Sequence, residues 1–265
     1  MELTEKLREE YAPGVPYRVD SGDLTVSDFL FGTARRYPKR AAIDFMSRQT
    51  TYEELASQVR QAAMVLKEAG GGKNDRGALV LPNCPQHIVA LFATALVGAV
   101  AIEHNPLAPE KELEEQFSRH GAKVVVAWQN SVAKLSFLPR STKIFGVDLA
   151  AALPAKTQAL LRLPLPAIRK RRSMLGVKVP SQVESWENSV RSAVPWEGEC
   201  PAGAEDPAIM LHTGGTTGSP KAVVLTHKNV ASNVVQSVAW VAPLHEGSEV
   251  FYSVLPYFHA YGLTA

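Results

Sequence analysis

The sequence predicts an α/β fold in which mostly parallel strands are flanked by helices. Between residues 78 and 147, short apolar runs alternate with segments of helical periodicity. The strands are predicted at 78–81, 99–103, 124–128 and 143–147, and the helices at 85–97, 109–120 and 130–137. Such alternation is typical of parallel strands joined by right-handed crossovers. The 265 residues, 46% of them hydrophobic, allow one large core or two lobes.

Flanking segments extend this pattern on both sides. Upstream, a strand at 41–46 and a turn at 47–50 precede a helix whose start is marked by a capping box of Thr51 and Glu54. That helix is expected to end near the glycines at 70–72. Downstream, strands are predicted at 208–212, 222–226 and 249–255, and a helix at 227–240.

The nine residues TGGTTGSPK, at positions 213–221, are the strongest functional signal in the chain. Glycines let the main chain approach a ligand closely, and consecutive backbone N–H groups can form an anion-binding nest. Hydroxyl side chains add donors, and Lys221 adds a positive charge. A simple hairpin turn seldom needs this combination. The loop is therefore expected to bind a phosphate chain.

Spacing excludes two common phosphate-binding motifs. A Walker loop requires glycine before the lysine and serine or threonine after it, whereas Pro220 and Ala222 flank Lys221. The dinucleotide fingerprint requires glycines at the first, third and sixth places between a strand and a helix, and the three glycines of this loop lack that spacing. The P-loop NTPases and the Rossmann dehydrogenases are thus the wrong classes.

The loop, followed by AVVLTHKN, resembles the phosphate-loop signature of the adenylate-forming enzymes. Its TGG resembles the form found in bacterial long-chain fatty acyl-CoA ligases. Three further stretches are similar to the same family in the expected order, namely TYEEL at 51–55, LPNCPQ to EEQF at 81–117, and LPYFHAYG at 255–262. Ala222 departs from the family, which usually has glycine after the lysine, and this puts the closest backbone approach in question.

The resemblance implies both the fold and the division of the chain. Residues 1–265 would be the N-terminal fragment of the AMP-binding domain, with mostly parallel sheets flanked by helices and a second lobe that is incomplete. A first α/β lobe would span 77–212, and 20–76 and 222–265 would be parts of the second lobe. Residues 149–183 would form a basic, apolar insertion.

The resemblance also implies a two-step reaction that requires ATP, Mg²⁺ and coenzyme A. A fatty acid carboxylate attacks ATP to give acyl-AMP and pyrophosphate, and coenzyme A then takes the acyl group. Lys221 and Thr217 would be catalytic, and Tyr257 and His259 would line the acyl pocket. The phosphates would be bound by Thr213, Gly214, Gly215, Thr216, Thr217, Gly218, Ser219 and Lys221. The Mg²⁺ ligands and the remaining catalytic parts would lie mostly downstream, so the chain alone is expected to be inactive.

Composition excludes several other classes. Two cysteines do not make a disulfide framework, and no metal-ligand spacing occurs among the cysteines and the seven histidines, so no metal site is predicted. The charged start MELTEKLREEY is unlike a secretory signal. The longest uncharged apolar run, 88–102, is shorter than the roughly 20 residues of a spanning helix. We therefore expect a cytoplasmic protein.

Residues 149–183 contain seven bases and no acid, interleaved with leucines. Pro164 and Pro166 are expected to divide the segment into two short helices. This pattern is typical of a peripheral contact with the inner face of a membrane, and equally of a solvated helix that covers the core. Nucleic acid is disfavoured as a partner because no aromatic residue lies among the bases.

Two rival functions stay open. One is a non-catalytic module that keeps the loop for binding a nucleotide or another anion. The other is a membrane-associating module whose functional part is the segment 149–183. An unfinished sheet would also expose an edge strand, and exposed edges promote pairing, so a homodimer is expected.

Overall fold

A seven-stranded sheet forms the centre of the structure. The computed structural model describes residues 8, 10–213, 221–241 and 244–264. The strands of this sheet are β3 (Arg76–Val80), β4 (Val100–Glu103), β5 (Val124–Trp128), β6 (Lys143–Val147), β7 (Glu184–Ser185), β8 (Pro207–His212) and β9 (Ala222–Thr226). Across the sheet they lie in the order β7–β6–β5–β3–β4–β8–β9. All neighbouring strands are parallel except β8 and β9. A separate antiparallel hairpin pairs β1 (Ala41–Phe45) with β2 (Arg48–Thr51).

Helices connect these strands and cover the sheet. The longer ones are α1 (Val26–Arg36), α2 (Tyr52–Glu68), α3 (Pro85–Leu96), α4 (Glu110–Phe117), α7 (Pro166–Leu175) and α9 (His227–Trp240). The shorter ones are α5 (Gln129–Val132), α6 (Ala155–Leu160), α8 (Trp186–Ser192) and α10 (Ala260–Thr264), with 3₁₀ turns at Ala133–Leu135 and Leu149–Ala152. The predicted α/β class with mostly parallel strands is confirmed.

The central strands of the sheet are buried on both faces. Successive side chains of each strand point to opposite sides, so neighbouring residues of one strand belong to different cores. Leu79 of β3 joins one core with α2, α3 and Trp186 of α8. Its neighbours Ala78 and Val80 join a second core with Leu113 and Phe117 of α4. A strand that is covered on both faces is apolar along its whole length, which explains the uninterrupted runs in the sequence.

Local signals set the helix boundaries as predicted. The amide of Glu54 donates to Oγ1 of Thr51 at 3.3 Å, and the amide of Thr51 donates to the Glu54 carboxylate at 2.8 Å. This reciprocal pair forms the expected capping box at the start of α2. A second capping box, formed by Thr226 and Asn229, begins α9 at the predicted residue.

Two local predictions are wrong. The predicted turn at 47–50 is largely the second strand of a hairpin, β2, because Met46 and Ser47 make a tight turn with positive φ angles. No strand occurs at 249–255, which are among the described residues and mostly exposed. Residues 222–226, assigned above to a second lobe, pair with β8 as the edge strand of the large sheet. The division into lobes, like the homodimer, stays a prediction.

The basic insertion folds as two short helices, α6 and α7, as expected from Pro164 and Pro166. Neither helix has a buried residue. The end of α7 is held by an ion pair between Arg172 and Asp148 at 2.5 Å, and by the indole N–H of Trp128, which donates to the carbonyl of Leu175 at 2.8 Å. Among the described residues, no helix has the length and apolar character needed to span a membrane.

The side chain of Glu187 lies close to this ion pair. Oε1 of Glu187 accepts from the amide of Asp148 at 3.0 Å and from Nε2 of Gln86 at 3.3 Å. Burial raises the pKa of Glu187 to about 7, and the negative charge of Asp148 acts in the same direction. The folded protein therefore keeps a proton on Glu187 at pH values where the unfolded chain has lost it.

We predict that Glu187→Gln removes a pH-dependent loss of stability. Because the folded pKa lies above the ordinary value of 4.5, this group's contribution to stability is complete below pH 4.5 and is lost as the pH rises through 7. The stability of Glu187→Gln relative to wild type should grow by about 2–3 kcal/mol between pH 5 and pH 8, measured by urea unfolding. The exposed Glu199→Gln is the control, and equal pH dependence in wild type and Glu187→Gln would contradict the prediction.

Candidate functional site

The candidate site lies at the edge of the sheet where the parallel strands β3, β4 and β8 end. Leu79 is paired with Glu103, and Glu103 is paired with Leu211, so the three carboxyl ends are level. Ligands of open α/β sheets bind at this edge, because the loops that leave the strands converge there. The segment after β8 is the predicted phosphate loop, 213–221.

The two ends of the predicted phosphate loop meet at this edge. The backbone amide of Thr213 donates to the carbonyl of Lys221 at 2.8 Å, and Oγ1 of Thr213 donates to the same oxygen at 3.1 Å. This contact continues the pairing of His212 with Ala222 in β8 and β9. Thr213 and Lys221 are both exposed. The other predicted phosphate ligands, including the proposed catalytic Thr217, lie outside the described residues: Gly214, Gly215, Thr216, Thr217, Gly218 and Ser219.

A buried contact between an imidazole ring and a carboxyl group lies at the same edge of the sheet. Nε2 of His87, on α3, lies 3.0 and 2.9 Å from the two carboxylate oxygens of Glu103, the last residue of β4. Both side chains are fully buried. Nδ1 of His87 lies 3.3 Å from the carbonyl of Pro82. Each ring nitrogen of His87 therefore has an oxygen partner inside the protein.

The segment that contains Tyr257 docks against the end of β3. Nδ2 of Asn83 donates to the carbonyl of Leu255 at 2.7 Å, and Oδ1 of Asn83 accepts from the amide of Tyr257 at 3.0 Å. The ring of Tyr257 meets the ring of His87 edge-on, with centroids 5.3 Å apart. One asparagine thus joins two segments that are about 170 residues apart in the sequence.

Tyr257 and His87 line a cavity of about 1270 Å³. The cavity lies between α1, α3, α9 and the segment from 251 to 264. Most of its wall is apolar, with Leu30, Ile88, Leu91, Phe92 and Trp240 among the lining residues. The predicted pocket residue Tyr257 therefore lies at this cavity. His259 does not line it, and is exposed beside the ring of Phe258.

Three histidines meet on the opposite face of β4. They are His104, next to Glu103 in the chain, His120, just beyond α4, and His212, the last residue of β8. Burial lowers the pKa of His104 well below its ordinary value and that of His120 to about 3. Burial also lowers the pKa of His212, and the charge of Arg119 adds to this effect. All three rings are therefore neutral near pH 7.

The sequence analysis missed His87, Glu103 and the three histidines, because their segments meet only in the folded chain. Spacing could not reveal the cluster, whose members are up to 108 residues apart, from His104 to His212. One signal was present. The acid at 103 ends the predicted apolar strand 99–103 and the histidine at 104 directly follows it, and polar side chains at the end of a buried strand are typical of sites at a sheet edge.

Comparison with known proteins identifies a family and several relatives. The AMP-binding enzyme family matches residues 30–265. A long-chain-fatty-acid–CoA ligase of Bacillus subtilis (strain 168) is 28% identical over 97% of this chain, and one of Salmonella typhimurium is 30% identical over 87%. A benzoate CoA ligase from Burkholderia xenovorans LB400 shares the fold, with a TM-score of 0.63 and 19% identity over 91% of this chain and 42% of the ligase.

The chain belongs to the AMP-binding enzyme family, whose adenylate-forming members include these ligases. It spans 46% of the length of the Bacillus relative and 42% of the Salmonella relative. The part that is matched holds the phosphate-loop motif and the edge of the sheet described above.

We predict that removing the carboxylate of Glu103 destabilises the fold. Glu103→Ala leaves Nε2 of the buried His87 without its partner, and an unsatisfied buried polar group costs about 1–3 kcal/mol. Glu103→Gln, which keeps one acceptor oxygen, should cost less. Urea unfolding at pH 7 measures both, with the exposed Glu53→Ala as the control. A Glu103→Ala protein as stable as wild type would show that this contact does not stabilise the fold.

Proposed function

We propose that this chain supplies the phosphate-binding loop and part of the acyl pocket of an adenylate-forming acid–CoA ligase that acts on fatty acids. The observation that carries the proposal is the position of the loop. Its two ends are joined at the carboxyl edge of the parallel sheet, and the segment containing Tyr257 docks at the same edge. ATP, Mg²⁺ and coenzyme A are the proposed co-substrates and cofactor.

The loop would bind and polarise the triphosphate of ATP. Thr213 binds the carbonyl of Lys221 through its own backbone amide and side chain, so the two ends of the loop lie side by side. In the proposed mechanism the backbone amides of the loop donate to phosphate oxygens, and Thr217 adds a hydroxyl donor. Lys221, which is exposed at the end of the loop, neutralises charge that develops as the carboxylate attacks the α-phosphate.

The cavity supports an apolar acid as the substrate. A volume of about 1270 Å³ with an apolar wall suits a long acyl chain, which is stabilised by removal of its surface from water. Tyr257 and His87 supply polar groups at the part of the wall next to the sheet edge. Aryl acids are the second candidate, because the benzoate ligase shares this fold. Comparing activity with a fatty acid against activity with benzoate distinguishes these two substrate classes.

We predict that Lys221→Ala weakens ATP binding by 10- to 100-fold, since a hydrogen bond to a charged group contributes about 1.5–3 kcal/mol. Calorimetric titration with ATP and Mg²⁺ measures the change. Lys123→Ala is the control, because Lys123 is an exposed lysine just before β5, at the opposite edge of the sheet. Equal affinities of Lys221→Ala and wild type would contradict the proposed role of the loop.

The basic insertion supports a second role, a peripheral contact with an anionic membrane. Large apolar side chains are exposed among its bases, namely Leu160, Leu163, Leu165, Met174 and Val177. Exposed bases on α7 include Arg169, Lys170 and Arg171. Apolar side chains can enter the interface of a bilayer while the bases bind anionic headgroups. Such a contact would bring the site close to membrane-borne fatty acids.

We predict that the triple variant Arg169→Glu, Lys170→Glu, Arg171→Glu loses binding to vesicles that contain phosphatidylserine. Each base near an anionic surface contributes about 1 kcal/mol, so the loss should exceed 100-fold. Sedimentation at low and high salt measures binding, which should weaken as salt screens the charges. The control reverses Lys39, Lys111 and Lys123, which lie outside the insertion. Unchanged sedimentation of the first variant would refute this role.

A further inference from the structure

The cluster of His104, His120 and His212 has the composition of a metal site. Each of the three residues offers one ring nitrogen as a possible metal ligand, and these three nitrogens all lie within 4.8 Å of one another. Nε2 of His104 and Nε2 of His120 are 3.1 Å apart. His104 and His120 are 1% and 2% exposed. The three residues come from three separate segments of the chain, and α4 and the strands β4 and β8 bring them together.

Hydrogen bonds explain the positions of two of the three rings. Nδ1 of His104 donates to Oε1 of Gln116, at 2.8 Å. The amide of Ala122 donates to Nδ1 of His120 at 3.2 Å, so the ring proton of His120 is on Nε2 and points at Nε2 of His104. This chain of donors and acceptors is complete without a cation, and it directs the lone pair of His104 into the cluster.

The hydrogen bonds of this cluster do not include the ring of His212. Both of its nitrogens are buried, and neither has a hydrogen-bond partner among the described residues. Its ring packs against that of His104, with centroids 4.7 Å apart. Buried polar atoms in folded proteins nearly always have a partner, and a histidine with none among the described residues, beside two other histidines, is placed to bind a ligand.

We propose that His104, His120 and His212 form a binding site for one divalent transition metal of the zinc class. Two nitrogens that bind one tetrahedral Zn²⁺ at 2.0–2.1 Å are about 3.3 Å apart, close to the separation of His104 and His120. His212 completes three ligands by a rotation of its side chain, and the fourth position is left to solvent. The site does not depend on the function proposed above.

Gln116 orients one of the proposed ligands, His104, by a hydrogen bond. Metal-bound histidines usually donate their second ring N–H to an oxygen, which fixes the ring and raises its basicity as a ligand. Gln116 does this for His104, and its own Nε2 donates to Glu112 at 3.1 Å. The ring of His104 also stacks on Phe117, with centroids 4.5 Å apart. His104 is therefore oriented before any metal binds.

Binding changes the proton position on one ring only. When Nε2 of His120 coordinates the metal, its proton moves to Nδ1, and the hydrogen bond from Ala122 is lost. The metal–nitrogen bonds must offset this lost hydrogen bond. His104 and His212 coordinate as neutral rings and release no proton.

The charges around the cluster select the class of metal. Arg76 donates to the carbonyl of His120 at 2.8 Å, and Arg119, which pairs with Glu115, is the residue before His120. These cations oppose a second positive charge, so binding must come from the metal–nitrogen bonds. Zn²⁺, Co²⁺ and Ni²⁺ form such bonds with imidazole, while Mg²⁺ and Ca²⁺ require oxygen ligands. We expect an excess of Mg²⁺ not to displace the metal.

The test is a Co²⁺ titration of the chelator-treated full chain, followed by visible absorption, with Zn²⁺ stoichiometry measured by elemental analysis after dialysis. Wild type should bind about one equivalent, and His104→Ala, His120→Ala and His212→Ala should each lower affinity at least ten-fold. The control, His245→Ala, removes an exposed histidine outside the cluster and should bind as wild type. Wild type without bound metal, or an equal loss in His245→Ala, would overturn the proposal.

A second pair of variants keeps the proposal testable if removal of a histidine unfolds the chain. Gln116→Glu gives His104 a carboxylate partner and should tighten Co²⁺ binding about ten-fold, while Gln116→Leu should weaken it by a similar factor. Circular dichroism checks that both variants fold. If both fold and bind Co²⁺ with the affinity of wild type, His104 is not a ligand and the proposal fails.

Discussion

The level ends of the parallel strands β3, β4 and β8 are the constraint on which the rest of this structure depends. Hydrogen bonding fixes Leu79, Glu103 and Leu211 at one height, so whatever follows each strand emerges at a common edge. Because successive residues of a strand face opposite sides, Glu103 points to the layer of α3 and His104 to the layer of α4. Two adjacent residues thus begin two different polar clusters.

The buried polar groups of the two clusters find their hydrogen-bond partners in different ways. On the side of α3, the imidazole of His87 and the carboxyl group of Glu103 satisfy each other, and the ring of Tyr257 packs against the imidazole. On the side of α4, two neutral rings form a hydrogen-bonded chain that ends at Gln116. Each cluster contacts a segment beside the predicted phosphate loop, because His212, directly before the loop, packs on His104, and Tyr257, downstream of it, packs on His87.

Sequence patterns predicted the parts of this structure that depend on short-range physics. The capping box of Thr51 and Glu54 and the strands at 124–128 and 222–226 all occur as expected, because each is set by neighbours in the chain. The strand expected at 249–255 is absent from that described segment, since a β-prone sequence forms a strand only when another strand is available to pair with it.

The site itself could be predicted only in part. The composition of 213–221 predicts an anion-binding loop, because glycines, hydroxyls and a lysine together suit that chemistry, and this role stays a prediction. The contacts of Asn83 with Leu255 and Tyr257, and of His87 with Glu103, are long-range consequences of sheet register. No local pattern carries that information.

Hydrogen exchange of the backbone amides in the presence of a non-hydrolysable ATP analogue tests the central claim most directly. If the loop binds the triphosphate through its main chain, the amides between Thr213 and Lys221 exchange more slowly with the analogue than without it. Amides of the hairpin formed by β1 and β2 should be unaffected. Binding of the analogue with no added protection in residues 213–221 would contradict the account.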